Sequence, residues 1–217
     1  GPLVTRAGLV INYQSGELGV LPQANGKIVV IDEFDKAPKQ DFKLTYELIS
    51  TGRCIVHAAN VHKIIRSRFV LIAMANPTHG IFKGGEGDLP FDPPLLSRFS
   101  LIVRSEAMQG KPLRDYIREK FLHGDVRTRR VFGAWLRSAR AHRPKIVADE
   151  EKVSSAFDEI ASIIEKYGNS FLRRDARFPL HARRVAMAIA RAEQKDVDDE
   201  VVERALTLIK ETLKQWL

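Results

Sequence analysis

A chain of 217 residues is long enough for one or two domains with their own cores, and its 44% apolar and 29% charged residues are ordinary for a soluble globular protein. The longest apolar run, residues 69–75, is too short to span a bilayer, so we expect no membrane partner. The net charge of +8 favours a polyanionic partner, nucleic acid first, with a merely solvated basic surface as the alternative.

The first half of the chain has the patterns of alternating strands and helices. Residues 28–31 are uniformly apolar, which predicts a strand buried on both faces. The predicted elements are, in chain order, a loop or short hairpin over 1–27, the strand over 28–31, a helix over 38–51 that Gly52 ends, a hairpin over 53–65, a strand over 69–75, a long loop over 78–94, a short turn from Leu95 and a strand over 99–103.

The second half has helical periodicity and no strand-like runs. Asp149 and Asp198 are placed to begin two of the helices. The predicted helices span 111–123, 129–142, 149–167, 179–194 and 198–216. The apolar residues expected in their core are Trp135, Leu136, Ala139, Phe157, Ile160, Ile163 and Ile164. An α/β segment followed by an all-helical segment is the fold class that these patterns predict.

Two adjacent carboxylates, Asp32 and Glu33, follow the apolar strand directly. Nucleotide hydrolases use such a pair at a strand end, one carboxylate to hold Mg²⁺ and the next to activate the attacking water. The alternative is an acidic pair that only begins a loop. The Gly-rich loop ending Gly-Lys-Ser/Thr, which would wrap the triphosphate, does not occur in these 217 residues.

Three further residues are candidates for a nucleotide site. Asn76 follows the strand over 69–75 and could hold a γ-phosphate or a water, although an Asn before Pro also forms turns. Arg98, after Leu95-Leu96-Ser97, could reach a neighbouring subunit's nucleotide, or lie simply at the surface. Arg183, near the start of a predicted helix, could contact phosphate, or be one more residue of an Arg-rich stretch.

The order of these motifs resembles the AAA+ module of the minichromosome maintenance (MCM) helicases, in its archaeal type. Ile31-Asp32-Glu33-Phe34-Asp35-Lys36 is similar to the Walker B motif of that family, Ala75-Asn76-Pro77 to its sensor 1, and Pro94-Leu95-Leu96-Ser97-Arg98-Phe99 to its arginine finger. Tyr46-Glu47 and Arg68 fall where the family tends to place His-Glu and Arg. The resemblance runs from about Gly8 to the C-terminus.

The resemblance implies a fold and a function. It implies a partial AAA+ P-loop NTPase core over 1–105, a linker and helix over 106–128, and an α-helical lid over 129–217 with Arg183 as sensor 2. ATP and Mg²⁺ would be the cofactors, with the metal near Asp32. Asp32, Glu33 and Asn76 would act on the nucleotide bound by their own subunit. Arg98 and Arg183 would act on the nucleotide bound by the neighbouring subunit. DNA and a self-associated hexameric ring would be the partners.

Several departures from the family leave alternatives open. The hairpin lysine of the family falls on Ala58, so His57, His62 and Lys63 are the DNA-contacting candidates there. The chain begins Gly-Pro-Leu rather than Met, so we expect the natural protein to extend upstream. Without the Gly-rich loop, we expect this chain alone to be inactive.

One alternative is a degenerate, non-catalytic MCM homologue with a structural or regulatory role in replication. The other is a different AAA+ class, such as a chelatase-like or chaperone-like ATPase. The Phe34-Asp35-Lys36 form argues against that second alternative. The protein would be cytoplasmic and nucleoid-associated if archaeal, and nuclear if eukaryotic. Two arginine clusters, over 127–145 and 173–184, would face either DNA or a neighbouring subunit. Histidine spacing predicts no zinc site.

Overall fold

The computed structural model describes residues 8–37, 42–58, 61–80, 86–105, 114–115, 117–118, 129–167 and 177–214. The chain divides into two compact units, Gly1–Phe99 and Ser100–Leu217. Some of the predicted segments lie partly outside the described residues. The parts concerned are 1–7, 38–41, 59–60, 81–85, most of the helix over 111–123, and Arg127, Arg173 and Arg174. The described helices are not long and apolar enough for any of them to cross a membrane.

The described residues of the first unit form four strands and three short or medium helices. Their bounds are α1 Val20–Gln23, β1 Ile28–Ile31, α2 Phe42–Thr51, β2 Arg53–Ala58, β3 Val61–Arg66, β4 Val70–Ala73 and α3 Pro93–Leu96, with a 3₁₀ turn at Phe34–Lys36. β1 and β4 pair in parallel, and β2 and β3 form an antiparallel hairpin. The hairpin predicted over 53–65 is therefore confirmed, whereas the four-residue α1 was not foreseen.

Two predicted strands need correction. β1 is not buried on both faces: Val29 and Ile31 are buried, but Ile28 and Val30 are 44% and 58% exposed. The reason is that β1 pairs only with β4 among the described residues, and the core lies on one side of this two-stranded sheet. The strand over 99–103 does not form, because its backbone pairs with no strand of the described residues. The Ile102 N–H instead donates to Thr212 Oγ1 at 3.3 Å.

Phe34 is the centre of the first unit's core. Its side chain is completely buried, and its ring lies 5.3 Å from Phe91, 5.7 Å from Phe42 and 6.5 Å from Phe99, between centroids. Offset and edge-on aromatic contacts of this kind add to the free energy gained from burying the ring. Phe34 therefore anchors the turn that follows β1 to α2 and to the segment around α3.

Gly52 ends α2 as the sequence predicted. Its φ of +70° lies in the left-handed region, and its N–H donates to the Leu48 carbonyl at 2.8 Å. A Cβ at this position would also approach Arg68 Cγ to 2.9 Å. Glycine is thus required both for the helix end and for the close approach of the hairpin's exit.

The second unit is built from four described helices of 13 or more residues: α4 Arg129–Ala141, α5 Glu150–Tyr167, α6 Phe178–Glu193 and α7 Asp199–Lys214. Asp149 accepts N–H groups of Glu151 and Lys152, each at 3.0 Å, and Asp198 accepts that of Val201 at 2.9 Å. The cap at Asp149 is confirmed. Asp198, predicted to begin an acidic first turn, is itself the cap, and Asp199 and Glu200 form that turn. The described helix bounds differ from prediction by one or two residues.

The second unit's core forms mainly where α6 and α7 pack together and α5 packs on α7. The fully or almost fully buried side chains include Ile160, Ala190, Val197, Val201, Ala205 and Leu206. Trp135 was wrongly expected there: it is 43% exposed, because its Nε1–H donates to the Ala192 carbonyl at 3.0 Å and so stays at the surface of α6.

Candidate nucleotide site

Parallel pairing brings the ends of β1 and β4 to one edge of the sheet. The register aligns Ile28 with Val70 and Ile31 with Ala73, so Asp32 and Asn76 both follow the carboxyl ends of neighbouring strands. The pairing continues one step further, since Met74 N–H donates to the Ile31 carbonyl at 2.9 Å and Phe34 N–H to the Met74 carbonyl at 2.9 Å. Open α/β sheets bind ligands at this edge.

Asp32 and Glu33 are both exposed at the start of the turn. Asp32 Oδ1 accepts the Glu33 N–H at 2.9 Å, and its second oxygen meets no donor among the described residues. Mg²⁺ in nucleotide sites takes one or two protein carboxylates, with waters and phosphates completing its shell. A single exposed carboxylate at a strand end fits that requirement, so Asp32 is the residue that would hold the ion.

Glu33 is held by Lys36 in this structure. Glu33 has a left-handed backbone, with φ 53°, and its Oε1 forms an ion pair with Lys36 Nζ. The hydrogen bond and charge of Lys36 lower the pKa of Glu33, and Glu33 in turn raises the pKa of Lys36. A carboxylate with a lowered pKa stays ionised but is a weaker base, so water activation by Glu33 requires Lys36 to release it.

Asp35 connects the two strand ends, a role that no local sequence pattern indicates. Its Oδ1 accepts the Asn76 backbone N–H at a long 3.4 Å. Asn76 itself is exposed, as a side chain must be to reach a phosphate. The edge therefore carries Asp32, Glu33 and Asn76 on two loops that are joined by backbone and side-chain hydrogen bonds.

Arg98 is engaged with α2 of its own unit. Its Nε donates to Ser50 Oγ at 2.7 Å and to the Tyr46 carbonyl at 3.2 Å, and its NH1 donates to the Pro94 carbonyl. The guanidinium also lies over the Tyr46 ring, 4.9 Å from its centroid. Arg98 is thus a half-buried residue whose direction is fixed by α2 and α3.

Asp92 completes this arrangement, which we call the Arg98 clamp (Tyr46, Ser50, Asp92 and Arg98). Asp92 is the N-cap of α3, accepting the Leu95 N–H at 3.1 Å, and it also accepts the Tyr46 hydroxyl at 2.6 Å. Burial, followed by the hydrogen bond to Asp92, raises the pKa of Tyr46. The sequence signal for Asp92 was its position before Pro93-Pro94, since Asp followed by Pro is typical of a helix start.

The hairpin places its three candidate residues differently. His57 and His62 are exposed and lie directly opposite each other. Lys63 Nζ donates to the Gly16 carbonyl at 2.8 Å, so its ammonium rests on the loop over 12–17. The side chain of Ala58, at the family's lysine position, lies outside the description.

Arg183 belongs to the second unit and is exposed on α6. Its neighbours His181 and Ala182 are buried, and His181 Nδ1 shares a hydrogen bond with Ser100 Oγ at 3.0 Å. In the arginine cluster over 127–145, NH1 of Arg143 donates to the carbonyls of Arg140 and Ala141, the last residues of α4, and of His142, which follows them. That arginine serves as a helix cap.

Comparison with known proteins points in one direction. Residues 11–113 match the model of the MCM P-loop domain. Similar proteins include DNA replication licensing factor MCM3 of Entamoeba histolytica (34% identity over 42% of this chain and 16% of that protein), the MCM3 of Gallus gallus (30%, 46% and 13%), and mcm5 of Dictyostelium discoideum (34%, 40% and 12%). These matches support the MCM family.

The MCM match contains Asp32, Glu33, Asn76 and Arg98, and it supports the partial AAA+ core with nucleotide binding that these motifs predicted. It ends at residue 113, before the four long helices, so the lid stays a prediction. The archaeal type is not supported, since these MCM relatives are eukaryotic. The chain matches only about one-sixth or less of the length of each MCM relative named above.

Proposed function

We propose that this chain is part of the ATPase and DNA-unwinding module of an MCM-like replicative helicase that hydrolyses ATP between the subunits of a ring. The observation that carries the proposal is the parallel β1–β4 pair, which brings Asp32, Glu33 and Asn76 to one sheet edge. The match to the MCM P-loop domain over the same residues supports it.

Within this proposal, each residue has a distinct task. Asp32 would hold Mg²⁺, which would supply positive charge to the phosphates of ATP. Glu33 accepts a proton from the attacking water after Lys36 has released it, and Asn76 positions that water or the γ-phosphate. DNA is the nucleic-acid partner, with His57, His62 and Lys63 on the hairpin as its contacts, and the nucleus is the compartment.

Arg98 would act on the nucleotide of the neighbouring subunit, with Arg183 as its second cation. Because Nε and NH1 of Arg98 donate to groups of its own unit in the Arg98 clamp, this role requires the guanidinium to exchange some of those bonds for bonds to the neighbour's phosphate. Loss of an arginine that stabilises transferred phosphate lowers turnover by about 10³-fold or more. The 217 residues contain no Gly-Lys-Ser/Thr loop, so we expect this chain alone to bind nucleotide weakly and to turn over none.

A complementation experiment tests hydrolysis between subunits. In the product of the complete gene, Glu33→Gln disables a subunit's own site and Arg98→Ala disables the neighbour's. Each variant alone is expected to be inactive, but a mixture should regain part of the ATP turnover, because some interfaces then combine an intact Glu33 with an intact Arg98. If the mixture stays as inactive as its components while still assembling, the shared site is refuted.

The second candidate function is a non-catalytic MCM homologue with a structural or regulatory role. The Glu33–Lys36 ion pair is the observation that favours it, because it occupies the carboxylate that would activate water. A complete protein that assembles and binds DNA, yet shows no ATP turnover with or without Lys36, would establish this alternative.

A further inference from the structure

The hairpin carries a close histidine pair that the nucleotide site does not use. His57 and His62 are directly opposite residues of β2 and β3, and both are exposed. Their Nδ1 atoms lie 2.9 Å apart, and the ring centroids 5.2 Å apart at an interplanar angle of 61°. One neutral imidazole donates its Nδ1–H to the Nδ1 of the other, so the two ring nitrogens are held facing each other.

The distance between the Nδ1 atoms of His57 and His62 suits two neighbouring ligands of one divalent transition metal ion. Histidine nitrogens bind such ions at about 2.0–2.1 Å, so two nitrogens held 2.9 Å apart subtend about 90° at the metal. A right angle is the angle between neighbouring ligands in tetragonal and octahedral geometry, which Cu²⁺ and Ni²⁺ prefer with nitrogen ligands. Tetrahedral Zn²⁺ requires a wider separation.

The face of the hairpin opposite the two imidazoles is packed into the core. Cys54, Val56 and Ile65 point to the other face and are buried in the core, with 1%, 1% and 5% exposure. On the histidine face, the next cross-strand pair is Ile55 and Ile64, which carry no charge. The cation would thus meet a preorganised pair of ligands and no carboxylate from the strands, while the Lys63 ammonium is held at Gly16.

We propose that His57 and His62 form a two-histidine binding site for a nitrogen-preferring divalent cation, with Cu²⁺ bound more tightly than Ni²⁺. When the metal enters, the ring that donates moves its proton from Nδ1 to Nε2, so both rings stay neutral and both Nδ1 lone pairs become available. Water supplies the remaining ligands, since the described residues hold no group of three or more His, Cys, Asp or Glu that could complete a metal site. The site is independent of the proposed ATPase function.

Titration of the 217-residue chain with Cu²⁺ and with Ni²⁺, by calorimetry in a non-coordinating buffer, tests the site. We expect one equivalent of metal to be bound, and that equivalent to weaken by on the order of tenfold or more in His57→Ala and in His62→Ala, because each variant leaves a single ligand. His79→Ala removes another exposed histidine and should leave the binding unchanged. Mg²⁺, which prefers oxygen ligands, should not bind here.

A variant that keeps two histidines but separates them is the sharper control. His62→Ala combined with Ile64→His moves the second imidazole to a diagonal position on the same face, where side chains are farther apart. It should bind as weakly as His62→Ala, with slow labelling of buried Cys54 showing that the hairpin is still folded. Equal affinity in the wild-type chain and in His57→Ala/His62→Ala, or full affinity in the diagonal variant, would overturn the proposal.

Discussion

Asp92 caps α3 and also accepts the Tyr46 hydroxyl, and substitutions at Asp92 and Tyr46 separate these two roles. Asp92→Ser keeps an oxygen that can cap α3 but is too short to accept the Tyr46 hydroxyl. Asp92→Ala removes both the cap and the acceptor. Tyr46→Phe removes only the hydroxyl that donates to Asp92 over 2.6 Å and leaves the ring under Arg98 in place.

The structure sets the expected magnitudes. A hydrogen bond to a charged acceptor contributes about 1.5–3 kcal/mol, and an ordinary one about 0.5–1.5 kcal/mol. Because Asp92 is exposed, we expect a value between the two classes, about 1–1.5 kcal/mol. Loss of an N-cap costs about 1 kcal/mol. Tyr46→Phe and Asp92→Ser should each destabilise the first unit by about 1–1.5 kcal/mol, and Asp92→Ala by about 2–2.5 kcal/mol.

The double variant Tyr46→Phe/Asp92→Ser should cost no more than either single change, since both remove the same bond. Labelling of Cys54 is a suitable assay, because this single cysteine is 1% exposed in the first unit and reacts only when that unit opens. The two tryptophans belong to the second unit, so their signal would not report the unfolding of the first unit. Strictly additive costs would refute the hydrogen bond and the clamp built on it.

Two further changes concern the turn after β1. Phe34→Ala should destabilise the first unit by about 3–5 kcal/mol, measured by urea denaturation with Cys54 labelling, and Phe34→Leu by clearly less; equal, small losses would contradict the central position of this ring. Lys36→Gln should raise the pKa of Glu33 towards its ordinary value, because the depressed pKa depends on Lys36. The stability that the ion pair contributes is present above the pKa of Glu33 in the unfolded chain and is lost as pH falls through its lowered pKa in the folded chain. An NMR titration of Glu33 that is unchanged in Lys36→Gln would contradict the pairing.

Local signals predicted most elements of this chain. Gly52, Asp149 and Asp198 mark helix ends by their own backbone or side-chain hydrogen bonds, so their effect can be read from the sequence. The hairpin and the two parallel strands follow from apolar runs interrupted by turn residues.

The failures come from contacts between distant residues. Whether Val30 is buried depends on what packs against β1, and whether 99–103 pairs depends on a neighbouring strand; neither is a local property. In the site, Asp32, Glu33, Asn76 and Arg98 could be named from motifs. The contacts that bind Arg98 to α2 could not, because they join residues that only the packing of α3 brings together. The Lys36 pairing of Glu33 is local, but it was not foreseen because it depends on the left-handed backbone of Glu33 and the 3₁₀ turn that follows.

DNA-stimulated ATP hydrolysis by the product of the complete gene, with Glu33→Gln, tests the central claim most directly. Loss of a general base lowers turnover by about 10²–10⁴-fold, and we predict a loss in that range with nucleotide binding retained. Glu17→Gln, at an exposed glutamate away from the strand edge, is the matched control and should hydrolyse ATP at the wild-type rate. ATP hydrolysis that survives Glu33→Gln undiminished would contradict the assignment of this sheet edge as the catalytic site.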